Sequence, residues 1–142
     1  MAHDIPSPTL ARASDTGSAL SRAVALSAAA AEVGFDWLSP APVFDAVQSE
    51  VSELLEAFDA EDPSAIRHEL GDVLLAVCNL ARHLGVPPDE ALAEANGRFT
   101  ARFTTMESIA AAEGAPLASL STDELEERWQ AAKRLLAEGR TG

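Results

Sequence analysis

EVSELLEAFDAEDPSAIRHELGDVLLAVCNLARHLG, residues 50–85, decides the fold class. At about 100° per residue, Val47, Val51, Leu54, Leu55 and Phe58 fall on one helical arc. Ile66, Leu70, Val73, Leu74, Val77, Leu80 and Leu84 fall on another. Glu61-Asp62-Pro63 leaves room only for a tight turn between them, so the two helices are expected to be antiparallel neighbours. Glu50 lies at the edge of the first arc with Glu53 just beyond, and Glu69 and Asp72 take nearly the same offsets on the second. If the stripes face each other, four carboxylates converge on one patch. Ala76 and Asn79 continue that margin one to two turns further along the second helix.

The flanking sequence extends the helical pattern in both directions. A first helix is expected over roughly Ser18 to Glu32, ending at Gly34. Ser39-Pro40, Asp62-Pro63 and Pro87-Pro88-Asp89 each place proline where a first-turn N–H has no partner to lose. Gly85 closes the third helix, and a fourth runs from about Pro88 to Glu113, before Gly114. Ser121 with Glu124 forms a capping-box signature that opens a fifth helix, to about Glu138. No segment alternates with period two for long enough to make a strand. The expected fold is all-α, a helical bundle with a four-helix core and a C-terminal helix. Met1–Gly17, without periodicity, is expected to be a disordered tail, and 18–138 a single domain.

With 142 residues the chain can bury one real core but not two of ordinary size. A net charge of −13 argues against a broad interface with nucleic acid or an anionic membrane. It leaves room for a small phosphate ligand wherever metal ions or arginines invert the field locally. Cys78 is the sole cysteine, so no intrachain disulfide can form. The Ala-rich stretch Ala19 to Ala31 carries Arg22 and several serines and reads as helix rather than a signal-peptide core. A cytoplasmic location is expected.

Like charges gathered together are costly unless something neutralises them. A hard divalent cation wants oxygen ligands and suits carboxylates from facing helices. Mg²⁺ typically keeps several waters and is completed by substrate phosphates, so the patch reads as a metal-assisted phosphate site. The plain alternative is a pair of solvated acidic flanks. Phe35 and Trp37 read as a plug at the corner between the first two helices, His68 and His83 as surface or rim residues, and Cys78 as a packed small residue.

The surrounding residues carry a resemblance. ALSRA (19–23), VGFDW (33–37), ELGDVLLAVCNLARHLG (69–85), ANGRFTARF (95–103) and ERWQAAKR (127–134) resemble the MazG nucleotide pyrophosphohydrolases, in the family's order. The resemblance implies an all-α enzyme that cleaves (deoxy)nucleoside triphosphates between the α and β phosphates with Mg²⁺, or Mn²⁺ as a substitute. It implies a homodimer or dimer of dimers and a role in clearing non-standard or surplus nucleotides. Position by position, Glu50, Glu53, Glu69 and Asp72 match the metal ligands, with Glu53 or Glu50 the candidate base. Arg98 and Arg102, at i, i+4, match a phosphate-holding basic pair, and Trp129 and Lys133 match an aromatic and a basic residue near the nucleotide. Asn79 is placed to hydrogen-bond a base or sugar. Ser49 stands where many members have a further Glu, and Ala25, Ser27, Ala28 and Ala65 stand where polar or basic residues are common. Those departures keep a rival reading open: a nucleotide-binding or interaction module of the same fold with weakened catalysis.

Overall fold

The computed structural model describes residues 7–13 and 17–139, and five α-helices with no strand are found among them. They are α1 (Ala19–Glu32), α2 (Pro40–Asp59), α3 (Pro63–Leu84), α4 (Pro88–Ala112) and α5 (Thr122–Glu138). The expected tail falls partly on residues 1–6 and 14–16, outside the described ones. Within the rest of it, Leu10–Arg12 forms a turn of 3-10 helix, and Arg12 Nη1 reaches Glu32 Oε2 at 2.9 Å. The chain divides into two compact units, Met1–Ala91 and Leu92–Gly142.

In the first unit α2 packs on α3, and α1 packs on α3. The helix starts follow the chemistry of their caps. Ser18 Oγ accepts from the backbone N–H of Ser21, and Asp62 Oδ1 accepts from those of Ser64 and Ala65 at 3.1 and 3.2 Å. Pro40 and Pro63 occupy first-turn positions of α2 and α3. α3 ends on Gly85, whose φ of 69° lets the N–H groups of Gly85 and Val86 return to the carbonyls of Arg82 and Ala81. α2 ends with the same pair of bonds, Glu61 N–H to Phe58 and Asp62 N–H to Ala57. Here the left-handed residue is Glu61, at φ 53°.

The buried core of this unit is thin: Ala29, Val43, Ala57 and Cys78. The stripes expected to close on each other are instead half open. Val51, Leu55, Phe58, Leu70, Leu74, Val77 and Leu84 all remain exposed. The physical reason is geometric. An apolar arc this wide has flanks that point past the facing helix, and α1 covers only part of α3.

The second unit holds the rest of α4, a 3-10 turn at Leu117–Ser119 and α5. Ser121 and Glu124 form both bonds of the capping box. Arg128 bridges back to Glu113, with Nη2 2.7 Å from its Oε2. Met106, Ala110 and Ala132 are buried.

Candidate metal centre and flanking cavities

The α2–α3 hairpin brings the acidic margins together as the helical angles require. Glu50, Glu53 and Glu69 each offer a carboxylate oxygen, and the three atoms lie within 4.8 Å of one another. Glu69 also belongs to a second group, with Asp72 and His68, within the same limit. The four acids therefore meet through Glu69, two from each helix. The Oε2 atoms of Glu50 and Glu69 are buried and have no hydrogen-bond partner among the described residues. A buried oxygen without a donor is costly, and a cation is a natural partner for it. An all-carboxylate set fits a hard divalent ion such as Mg²⁺ or Mn²⁺.

The electrostatics agree with the geometry. Glu50 shares a hydrogen bond with Glu53 when one of them is protonated, and this is the largest influence raising its pKa above the ordinary range. Desolvation and the charges of Glu53, Asp72 and Glu69 push the same way. His68 lies at the rim, largely exposed, with Nε2 3.2 Å from Asp72 Oδ2. Its i, i+4 spacing from Asp72 was the signal that could have placed it beside the acids.

Phe35 and Trp37 do not plug a corner: they are 82% and 50% exposed and form walls of a cavity of about 310 Å³. Ser27, Asp36, Asn79 and Arg82 supply its polar lining. Arg82 organises this wall. Its Nη2 donates to Asp36 Oδ1 at 2.6 Å and to Asn79 Oδ1 at 2.9 Å, while its Nε donates to Ser27 Oγ at 3.1 Å. His83 Nε2 lies 2.8 Å from Asp36 Oδ1. Hydrogen bonding from Arg82 is the largest cause holding the Asp36 pKa down to about 2, despite some desolvation. His83 is thus not a free rim residue, since its side chain is only 9% exposed. Cys78 is buried as expected, and burial, with the nearby charge of Asp89, pushes its thiol pKa up, which leaves it inert.

In the second unit Arg98, Arg102 and Lys133 line one cavity of about 320 Å³, so the two expected phosphate contacts share a wall with the basic residue expected near the nucleotide. Trp129 does not line that cavity. Its ring lies 5.6 Å from Phe99, which in turn stacks on Phe103 at 6.0 Å. Among the described residues, no helix is long and apolar enough to cross a membrane.

Comparison with known proteins agrees with this architecture. Residues 39–103 match the MazG nucleotide pyrophosphohydrolase domain, a span that contains all four clustered acids. The chain is 42% identical over 118 residues to the nucleoside triphosphate pyrophosphohydrolase of Escherichia coli (strain K12), covering 82% of this chain and 45% of that protein. It is 39% identical over 115 residues to the nucleoside triphosphate pyrophosphohydrolase/pyrophosphatase MazG of Thermotoga maritima, covering 81% of this chain and 44% of that protein. It therefore spans about half the length of these curated relatives. The chain is MazG-like, with residues 39–103 matching the MazG nucleotide pyrophosphohydrolase domain.

Proposed function

We propose that this protein is an enzyme that hydrolyses (deoxy)nucleoside triphosphates between the α and β phosphates, releasing a nucleoside monophosphate and pyrophosphate. The observation that carries the reading is the pair of buried, unpartnered oxygens on Glu50 and Glu69 inside a four-carboxylate cluster. Glu50, Glu53, Glu69 and Asp72 would hold Mg²⁺, with Mn²⁺ as a substitute. Such an ion, when bound, supplies Lewis-acid polarisation of the phosphate and lowers the pKa of a coordinated water.

The chain's own residues do the rest. The attacking water's oxygen bonds to the α-phosphorus as the bond to the α–β bridging oxygen breaks. Pyrophosphate leaves with that oxygen, and the water's proton passes to the carboxylate of Glu53 or Glu50. Arg98, Arg102 and Lys133 bind phosphate oxygens and oppose the charge that builds on the leaving group. Asn79 and Trp129 contact the nucleoside. The exposed apolar stripe of α2 and α3 supports a homodimer or dimer of dimers, because a face of that width is stable in water only when covered. Cytoplasmic nucleotide clearance is the role this chemistry suits.

The test is product analysis on a panel of triphosphates with and without Mg²⁺. Equal amounts of monophosphate and pyrophosphate, formed only with metal, are expected. Orthophosphate and diphosphate as products would contradict the bond assignment. Ser49, which adds no acid to the cluster, favours one other reading, a binding module with weakened catalysis. Metal-dependent nucleotide binding without turnover would establish it.

A further inference from the structure

Between the clustered acids and solvent stands one nitrogen donor. His68, Glu69 and Asp72 each present a ligand atom, and the three atoms lie within 4.8 Å of one another. All three residues belong to α3. At about 100° per residue, Asp72 falls about 40° from His68 and about 60° from Glu69, between the two on the helix surface. Glu69 is the inner member, shared with the group that Glu50 and Glu53 of α2 complete. His68 is the outer one, its side chain 71% exposed against 39% for Asp72.

His68 and Asp72 stand at i, i+4, the spacing at which a helix turns two ligands towards one ion. The distance between them fits the same role. Two donor atoms each about 2.1 Å from an ion, and about 90° apart around it, lie roughly 3.0 Å from each other. His68 Nε2 is 3.2 Å from Asp72 Oδ2. An exposed His–Asp ion pair would bring these atoms as close, but it would satisfy Asp72 alone. Glu69, in the same triad, would keep a buried Oε2 without a hydrogen-bond partner. One cation among the three answers both acids. We infer that His68 is a metal ligand of this centre, coordinating through Nε2 beside Glu69 and Asp72. Its imidazole gives the centre a preference for transition ions such as Ni²⁺ that carboxylates alone do not supply. Mg²⁺ takes oxygen ligands and gains little from a nitrogen, whereas imidazole suits Ni²⁺ and its neighbours in the series. The inference rests on the metal-centre reading and adds to it a donor of another class.

The experiment is calorimetry on the metal-free chain at pH 8, with MgCl₂ and NiCl₂ as separate titrants, comparing the parent with His68→Gln. The variant should bind Ni²⁺ about tenfold more weakly or worse, since losing even a group that only supports a metal ligand costs that much. Its Mg²⁺ affinity should stay within about twofold of the parent's. Asp72→Asn, which removes an oxygen ligand, should weaken both ions. Pulsed electron paramagnetic resonance of the Mn²⁺-loaded protein gives a readout that a merely structural role would not move. Spin-echo modulation from a directly bound imidazole nitrogen should appear in the parent and vanish in His68→Gln. An unchanged Ni²⁺ affinity in His68→Gln, an equal loss for Ni²⁺ and Mg²⁺, or a parent without nitrogen modulation overturns the inference and leaves the carboxylate centre standing. A parent that binds neither ion overturns both.

Discussion

Glu50 is held where its charge is unwelcome, with a buried oxygen that finds no donor and three acids acting on it. A carboxyl whose folded pKa is raised contributes stability that is full below the unfolded pKa and is lost as pH rises through the folded value. In EDTA, raising the pH from about 4 to 7 should therefore cost the parent more stability than Glu50→Gln, which has nothing to ionise. Thermal melts across that window check it, and parallel curves would show that the cluster carries no strain. Glu61 is a second residue held against its preference, here by backbone. A left-handed conformation costs an L-residue roughly 1–2 kcal/mol, and glycine avoids that while losing some unfolded-state entropy. Glu61→Gly should raise stability by roughly 0.5–1 kcal/mol in urea denaturation. Among the basic residues, Arg98→Ala and Arg102→Ala should each weaken triphosphate binding by about 1.5–3 kcal/mol, tenfold or more, and leave metal binding intact. Unchanged kinetics in both variants would remove them from the site.

α3 carries chemistry at both ends of its length, acids near its start and the Arg82–Asp36–His83 network near its close. Asp36, held down to about 2, contributes stability that is fully present above the ordinary aspartate pKa and is lost as pH falls from there through the folded value of about 2. The deficit of Asp36→Asn relative to the parent should thus be constant near neutrality and shrink between about pH 4 and pH 2. Urea midpoints over that range measure it, and a deficit that persists at pH 2 would assign the effect to packing instead. The helices themselves were legible because their ends are written locally: Ser18, Asp62-Pro63, Gly85 and the Ser121–Glu124 box each cap the chain where the sequence expects. The convergence of Glu50, Glu53, Glu69 and Asp72 was expected from period and turn length on the condition that the two stripes face each other, and the acids do meet through Glu69. The 3-10 turn at Leu10–Arg12 and the αL conformation at Glu61 were not legible, since neither residue type demands those angles. Nor was the cavity of Phe35 and Trp37. Those residues sit in a connection with no periodicity, and Asp36 between them is hydrogen-bonded to Arg82, 46 positions away.

As a whole molecule the chain leaves much apolar surface in water and buries few residues larger than alanine. An amphipathic hairpin with its stripe half open is marginal alone and stable once a second copy covers it. Light scattering at micromolar concentration should give twice or four times the mass of the 14.9 kDa chain, and a monomer there would contradict the proposed assembly. The measurement closest to the central claim is a Mg²⁺ titration of thermal stability in the parent and in Glu69→Gln, the acid common to both ligand groups. A ligand that binds only the folded state stabilises by RT ln(1 + [L]/Kd), about 1.4 kcal/mol at ten times Kd. For a chain of this size that is roughly 4–6 °C in Tm. The parent should rise by that amount with Mg²⁺, while Glu69→Gln, melting at or above the parent in EDTA, should gain almost nothing. Equal Mg²⁺ responses, or none in either protein, would contradict a metal centre built on these four carboxylates.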